Sequence, residues 1–452
     1  MRYANQVGVP VFVVNFAGNF LVQVAGEMQC DASLPTAENI YHIFGEGFMK
    51  KTMFHLVMAT GTFIFCAPYA SAKTFTESLQ QGSVVKVSFR TRYEDVSEDG
   101  LKDSDALTAR SRLSYQSGAW NGLGFSAEFD DVTELTGDVD YRTAPSGDLN
   151  NPGTAIIADP EGTEVNQAFV SYTTTNNQLK YGRQRLILDN ARFIGNVGWR
   201  QNEQTYDGVS WVNKTTDVIN FTYAYINNVN RVFGDNNPIQ GDHKHNSHIF
   251  NVSYSGFNAG KLIAYTYLLD VENPAIAKSA SSDTFGVRWQ GAASQTFLYN
   301  LEYAQQTKAG AAEEFEADYF LAEGTLNLLP FAFTLGYELL GSDKGLYGFS
   351  TPLATMHAFQ GWADKFLATP VVGLEDKYIN VGVTAAGAQI LVSYHQFDSD
   401  KGALDYGNEI DFSVSRKFGP VVLMAKYADF SMGEVAAFKD TKKFWLMADW
   451  SF

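Results

Sequence analysis

The chain ends on residues 443–452, KFWLMADWSF, an amphipathic segment that finishes on an aromatic residue. Segments of alternating apolar and polar residues recur upstream. In residues 331–340, for example, Phe333 and Leu335 share one face and Thr334 lies on the other. Eighteen such segments are separated in turn by a long polar loop and a very short turn. This rhythm predicts a transmembrane β-barrel, because the strands of such a barrel run out and back between long outer loops and tight periplasmic turns.

We predict an all-β fold: a closed antiparallel barrel of eighteen strands, with sixteen as the alternative count, closed by the segment that ends in Phe452. Each segment has about the 9–11 residues that a tilted strand needs to cross the apolar layer. Closure also removes the edge strands that an open sheet would expose. The predicted strands are residues 84–93, 107–115, 121–130, 165–174, 178–187, 205–213, 217–226, 248–255, 260–269, 283–291, 295–305, 315–323, 331–340, 377–384, 388–397, 408–416, 420–429 and 443–452.

The composition agrees with a membrane barrel and leaves a large soluble β-sandwich or β-propeller as the alternative. The 452 residues include 34 Phe, 23 Tyr and 39 Gly. No apolar run after residue 72 approaches the roughly 20 residues of a membrane-spanning helix. The net charge is −17, and residues 1–72 contain three of the 33 basic and four of the 50 acidic residues, so the remainder carries −16. So acidic a chain argues against a nucleic-acid partner.

Residues 49–72 have the pattern of a secretory signal peptide: a basic start, an apolar stretch and a small-residue cleavage site at 70–72. We therefore expect the barrel to comprise residues 73–452. Because a signal peptide belongs at the start of a chain, we expect Met49 to be the true initiator. Residues 1–48 are then an upstream extension that is absent from the mature protein. Both cysteines precede residue 73, so the mature chain would have no disulfide.

Two predicted outer loops carry most of the negative charge. Residues 94–106 hold six acidic side chains and one Lys, and residues 131–164 hold eight acidic side chains and one Arg, a combined −12. Either these loops bind Ca²⁺ or Mg²⁺ beside lipopolysaccharide, or they are simply solvated. Neither loop has the ligand spacing of an EF-hand. We expect no other cofactor.

Arginine residues recur at alternate positions in the first two predicted strands. Arg90, Arg92, Arg110 and Arg112 stand between apolar or hydroxyl side chains, so we expect them to point into the lumen. A ladder of guanidinium groups would form a path for carboxylates, because Arg binds them in bidentate geometry and never loses its charge. The alternative is a generic pore lining in which acidic residues balance the arginines, and the candidate partners are Glu128, Asp130, Asp207 and Glu302. The other residues assigned to the solute path are Arg183, Arg185, Arg192, Arg200, Asp207 and Arg288.

Two blocks of the sequence resemble the alginate export porin family. Residues 179–209 contain Gly-Arg-Gln-Arg and, further on, Asp-Gly, and residues 351–366 read TPLATMHAFQGWADKF. The resemblance implies an eighteen-stranded outer-membrane barrel whose Arg-rich, electropositive constriction passes a polyuronate. It matches three residues of this chain to the family motifs: Arg183, Arg185 and Asp207. The chain is shorter than is typical of the exporters and its outer loops are acidic, which favours a related diffusion or uptake porin.

Two further segments have two interpretations each. Loop 341–376 has an apolar core, so it either folds inward or over the mouth as a constriction or lid, or packs on neighbouring loops. His243, His245 and His248 form a cluster, and a solvated His-rich loop is favoured over a transition-metal site, which would need convergent ligands and a second shell.

The sequence thus predicts a channel in the outer membrane of a Gram-negative bacterium, passing anionic solutes such as uronate oligosaccharides, uronate polymers or small organic acids. The alternative is a general diffusion porin without sugar specificity. An outer-membrane hydrolase is a third possibility, but no nucleophile motif accompanies His357 or His395. Expected partners are outer-membrane lipid, lipopolysaccharide, the solutes, and the barrel-assembly machinery through the C-terminal strand; the oligomeric state is left open.

Overall fold

The computed structural model describes residues 74–137, 140–147, 151–273, 280–308 and 314–452. The predicted signal peptide, residues 49–72, and the predicted extension, residues 1–48, lie outside the described residues, so both stay predictions. Within the described part of the chain, no helix is long and apolar enough to cross a membrane.

The described residues form one short α-helix, one 3-10 turn at Met356–Ala358 and twenty strands, eighteen of which make up a single sheet. Helix α1, Phe75–Gln80, is capped by Thr74, whose hydroxyl accepts from the Glu77 N–H while the Glu77 carboxylate accepts from the Thr74 N–H. The barrel strands are β1 Val84–Glu98, β2 Ser104–Gln116, β3 Leu123–Glu134, β4 Gly162–Thr173, β5 Asn177–Gln184, β6 Thr205–Asn213, β7 Ile219–Asn230, β8 Asp242–Phe257, β9 Gly260–Leu269, β10 Ser282–Ala292, β11 Phe297–Lys308, β12 Glu316–Leu328, β13 Phe331–Leu340, β16 Leu374–Ala385, β17 Ala388–Asp398, β18 Asp405–Phe418, β19 Val421–Met432 and β20 Thr441–Ser451. Strands β14 Ser342–Asp343 and β15 Tyr347–Gly348 form a separate hairpin.

The eighteen-stranded sheet is closed, which confirms the predicted fold and decides against sixteen strands. Each strand pairs antiparallel with its neighbour in the chain, and β1 pairs with β20 from Ser88↔Ser451 to Glu98↔Thr441. The terminal residue takes part, since the Phe452 N–H donates to the Val87 carbonyl at 2.8 Å. Each of the eighteen barrel strands therefore has two partners, as a backbone that crosses lipid requires.

The two faces of the strands have opposite chemistry. The alternation predicted for β11 is confirmed, because Leu301 and Tyr303 are exposed whereas Asn300 and Glu302 are buried in the barrel interior. Large apolar side chains are exposed on the outward face around the barrel: Leu113, Phe129, Tyr181, Leu335, Ile410, Leu423 and Leu446. An outer apolar belt around a polar interior is the pattern of a barrel that sits in a bilayer.

The strands extend further at the outer rim than predicted, so the expected extent of the acidic loops is wrong. β1 continues to Glu98 and β2 begins at Ser104, which reduces the predicted loop 94–106 to five residues. Hydrogen-bonded pairing can continue beyond the apolar layer, where charged side chains are tolerated. Two of the acidic side chains are not solvated but fully buried, Glu94 and Asp159.

Two loops run through the barrel interior. The first inner loop, residues 185–204, connects β5 to β6, and the second inner loop, residues 349–373, follows β15. An apolar cluster anchors the first to the wall: the Phe193 ring lies 5.2–5.9 Å from the rings of Tyr265, Tyr267, Tyr319 and Phe349. Edge-to-face and tilted ring pairs of this kind stabilise packing beyond the area they bury.

We predict that Phe193→Ala loosens the first inner loop without opening the barrel. The substitution removes a buried ring from the cluster, a loss of about 3–5 kcal/mol in a well-packed core, but it leaves every strand pairing intact. Single-channel recordings should show added current fluctuations, while heat-resistant migration on gels is retained. Phe285→Ala, which removes an exposed ring from the outer face of β10, is the control; equal noise in both variants would contradict the anchoring role.

Candidate functional site in the barrel lumen

The two inner loops are joined by main-chain hydrogen bonds in the middle of the barrel. The Gly195 N–H donates to the Leu353 carbonyl at 2.8 Å, and the Thr355 N–H donates to the Ala191 carbonyl at 2.9 Å. A Cβ at Gly195 would lie 2.2 Å from the Thr355 hydroxyl oxygen, so this close approach requires glycine. The loops therefore act as one unit. The loop predicted over residues 341–376 folds inward and also packs on a neighbouring loop. Its role as a constriction or lid stays a prediction.

An aromatic cage holds a lysine where the loops meet the wall. Trp199 of the first loop stacks on His357 of the second, with ring centroids 4.5 Å apart and planes 9° apart, and Trp445 of β20 packs edge-on against both. Lys426 Nζ of β19 lies 3.6 Å from the centroid of the Trp362 ring and 4.3 Å from that of Trp199. Such buried cation–π contacts are each worth about 2 kcal/mol.

His357 is neutral in this cage. Burial lowers the pKa of His357 to about 3, since the opposing effect of Asp364 is smaller and Lys426 adds to the decrease. Its Nε2 lies 2.7 Å from Lys426 Nζ and its Nδ1 lies 2.7 Å from the Asp364 carboxylate. A neutral ring satisfies both contacts by accepting at Nε2 and donating from Nδ1. Both ring nitrogens are thus engaged in holding the loop.

The wall arginines bind the main chain of the first inner loop. Arg90 donates to the carbonyls of residues 198–200, at 2.9 Å for Gly198, and Arg110 donates to the Gln201 carbonyl at 3.2 Å. Arg92 donates to the Trp199 carbonyl and lies over the Trp199 ring, with its guanidinium carbon 4.4 Å from the centroid. These three side chains therefore point into the lumen, as predicted. Each of them donates a hydrogen bond to a main-chain carbonyl of the first inner loop.

Carboxylates pair with most of the arginines. Arg112 binds Asp130 in bidentate geometry at 2.7 and 2.6 Å and reaches Glu203 at 2.6 Å, and Arg185 bridges Glu203 and Glu128. The other pairs in the network are Arg90–Asp449, Arg92–Asp159 and Arg200–Glu94. Among the described residues, Arg110 alone of these six arginines has no carboxylate oxygen within 4.0 Å.

The lumen network is close to neutral. Its eight basic side chains are Arg90, Arg92, Arg110, Arg112, Arg185, Arg200, Lys426 and Lys443. Its seven carboxylates are Glu94, Glu128, Asp130, Asp159, Glu203, Asp364 and Asp449. This arrangement matches the alternative in which acidic residues balance the arginine rows. Arg185 is the most exposed of the arginines, at 28% of its side chain.

Glu203 sits at the centre of the paired charges. Burial raises the pKa of this carboxyl, but the Arg112 and Arg185 guanidinium groups outweigh burial and lower the pKa to about 2. Glu203 is therefore ionised at neutral pH, and its single negative charge is shared by Arg112 and Arg185.

Arg183 and Asp207 lie apart from this network. They pair with each other at 3.0 Å across β5 and β6, and Asn230 also donates to Asp207. Strand alternation places Arg183 on the face of Tyr181, which is exposed on the outside of the barrel. Both motif residues thus belong to the outer wall near the rim, whereas Arg185, beyond the end of β5, turns inward.

The last two predicted path residues lie elsewhere in the interior. Arg192 binds Glu338 at 2.6 Å and donates to Thr351, so it connects the first inner loop with β13 and the second inner loop. Arg288 on β10 donates to Asn300 at 2.8 Å and lies 3.6 Å from Glu302. Of the ten predicted path residues, six form one network with residues 198–203 of the first inner loop. Arg192 belongs to the same loop but pairs with β13, and Arg288, Arg183 and Asp207 lie outside the network.

Several residues of the site were not predicted. Trp199 and Trp362 lie within the two blocks that resemble a known family, but their partners are distant in sequence: His357 of the other block, Lys426 of β19 and Trp445 of β20. Lys426 and Lys443 occupy inward positions of β19 and β20, a signal as readable as the arginine alternation. The histidine cluster is not solvated as favoured: His243 and His245 are buried. No group of three His, Cys, Asp or Glu among the described residues is arranged to hold a metal ion.

These features define a class of protein: a closed barrel with an apolar belt and a polar, loop-filled lumen is an outer-membrane channel of a Gram-negative bacterium, crossing the membrane many times. The family model described as Alginate export matches residues 82–342, more than half of the chain. The chain belongs to the alginate export family. No curated protein matches it.

Solved structures share the fold at low sequence identity. OccAB4 of Acinetobacter baumannii is 14% identical with a TM-score of 0.65, covering 82% of this chain and 98% of that one. OpdK of Pseudomonas aeruginosa, in a structure with vanillate, is 13% identical with a TM-score of 0.64, covering 83% and 99%. OccK3 (OpdO) of P. aeruginosa is 15% identical with a TM-score of 0.63, covering 83% and 97%.

We predict that Glu203→Gln makes the channel more anion-selective. The substitution removes a buried negative charge but keeps the shape, so Arg112 and Arg185 lose a shared counter-charge. The reversal potential in a salt gradient should shift toward that of the anion, with a several-fold rise in the anion-to-cation permeability ratio. Glu314→Gln, at an exposed pair with Lys308, is the matched control; a shift of the same size in both would show that lumen charge does not set selectivity.

Proposed function

We propose that the protein is a selective channel for small organic carboxylates, including uronate monosaccharides and short uronate oligomers. The observation that carries the proposal is the pairing of Arg185 and Arg112 with carboxylates beside a lumen that two loops fill. A solute carboxylate can replace the Glu203 or Glu128 carboxylate on these guanidinium groups, because both offer the same two oxygen acceptors. Because the solute carboxylate exchanges with an equivalent protein carboxylate, the net binding free energy of the solute is small. The arginines can therefore select carboxylates and still release them.

The filled lumen argues against threading of a polymer. The inner loops are joined to each other by main-chain hydrogen bonds and to the wall by arginines and aromatic rings. A polyuronate would have to displace both loops, whereas a small carboxylate needs only to reach Arg185, whose side chain is 28% exposed. The vanillate in the OpdK structure, a small carboxylate in a barrel of this fold, supports the same size class.

The balanced charge of the network favours a second candidate, a general diffusion porin. In that case the eight basic and seven acidic groups set a transverse field, and solutes pass according to size. The two candidates differ in whether removal of one lumen arginine changes the passage of charged solutes alone.

Three expectations stay proposals. We infer contact with outer-membrane lipid and lipopolysaccharide from the apolar belt, and recognition by the barrel-assembly machinery from the aromatic end of β20. Binding of Ca²⁺ or Mg²⁺ by the remaining exposed acidic residues of the outer rim is the third. We also propose that the protein transports solutes without catalysis, and membership of a channel family supports this.

We predict that Arg185→Ala slows galacturonate influx several-fold in proteoliposomes and leaves glucose influx unchanged. Loss of the guanidinium removes the group that receives the solute carboxylate, whereas a neutral sugar does not depend on it. Arg183→Ala is the matched control, since this arginine lies two residues before Arg185 and faces the outside of the barrel. Polyuronate should be excluded by all three proteins. An equal decrease in galacturonate and glucose influx would favour the general porin. Passage of the polymer would contradict the proposal that only small carboxylates and short oligomers pass.

A further inference from the structure

A cavity lies at the outer end of the lumen, apart from the arginine network. It has a volume of about 290 Å³ and is bounded by the start of β8, the β14–β15 hairpin and the second inner loop. It therefore sits on the long-loop side, opposite the chain termini. The size is at the small end of the roughly 300–1,000 Å³ typical of ligand pockets.

One cationic side chain lines this cavity without a counter-charge. Arg231, directly after β7, has no carboxylate within 4.0 Å among the described residues. Its only hydrogen-bond contacts there are long, 3.5 Å to the Pro352 carbonyl and 3.5 Å to His243 Nδ1, and its Nε has no partner. Burial lowers the pKa of Arg231, and the Tyr206 phenol opposes this. A half-buried guanidinium in this state gains from any anion that reaches it.

The neighbouring polar groups are unsatisfied as well. His245 is 3% exposed, lines the same cavity, and its Nε2 has no hydrogen-bond partner among the described residues. The Ser247 hydroxyl contacts its Nδ1 at 2.9 Å. Buried polar atoms in native proteins are nearly always hydrogen-bonded, so unpartnered ones beside a cavity point to a ligand.

The remaining walls are mostly apolar, with the hydroxyls of Ser350, Thr351 and Thr369 among them, and no described residue of the lining is acidic. They include Val271, Leu353, Met356, Leu367 and Val371. A phosphate or sulfate would leave these walls uncovered, whereas a carboxylate on a compact apolar body satisfies both parts of the cavity. We propose that this cavity is a binding site for small aromatic or branched aliphatic carboxylates, with Arg231 as the group that binds the carboxylate. The site does not depend on the proposed exchange at Arg185, because the two arginines belong to separate clusters.

The site can be tested by binding alone, with benzoate as the probe. Isothermal titration of the folded full chain in detergent should give one benzoate site, and benzamide, the neutral isostere, should bind at least roughly tenfold more weakly, as loss of a charge-assisted hydrogen bond predicts. Arg231→Gln should weaken benzoate binding by a similar factor. Lys244→Gln, which changes an exposed lysine at the start of the same strand β8, is the control and should bind as the wild type does.

Two further variants, Met356→Trp and Arg185→Gln, distinguish loss of the proposed site from other causes of weaker binding. Met356→Trp fills the cavity without removing charge and should also abolish binding, while heat-resistant migration verifies that each variant is folded. Unchanged benzoate binding in folded Arg231→Gln, or equal binding of benzamide, would overturn the proposal. Loss of binding in Arg185→Gln but not in Arg231→Gln would overturn it too and place the carboxylate at the constriction. Loss of galacturonate influx in Arg185→Ala with benzoate binding retained would separate the two proposals.

Discussion

The interior of the barrel depends on one interaction, the donation of hydrogen bonds from wall arginines to the main chain of the first inner loop. Arg90 reaches the carbonyls of residues 198–200, and Arg92 binds the Trp199 carbonyl and covers its ring. A loop inside a barrel has carbonyl groups that no strand satisfies, and leaving them unpaired in a confined space is costly. The arginines satisfy them, and the charge this brings into the lumen is offset by carboxylates such as Asp449 and Asp159.

That arrangement changes what a row of arginines means in a channel. In the sequence, the alternating arginines of the first two strands suggest an open electropositive path. In the folded chain, the same side chains hold the loop, and their charge is largely neutralised. Under the proposed function, the side chains that bind solutes are those that stay partly exposed, above all Arg185. Arg231, at the outer end of the lumen, differs from these arginines. Its side chain makes only long hydrogen bonds, and it has no counter-charge among the described residues.

The fold was predictable from the sequence because it depends on a local pattern. Alternation in segments such as 331–340 fixes which face meets lipid, and the long–short rhythm fixes strand number and direction. The ends of the strands were not predictable, because pairing at the outer rim continues past Tyr93 into acidic residues that alternation alone assigns to a loop. The site was predictable only in part. Arg90 and Arg92 could be placed in the lumen, but their partners lie more than a hundred residues away in loop carbonyls, and Arg183 resembles Arg185 in sequence while facing the other way.

The most direct test of this account is the single-channel conductance of the Arg90→Ala/Arg92→Ala double variant in a planar bilayer, beside the wild type. If these arginines hold the first inner loop in the lumen, their removal leaves the barrel closed but frees the loop, and conductance should rise several-fold with frequent transitions. A folded double variant whose conductance equals that of the wild type would contradict the account, because the loop would then be held without them.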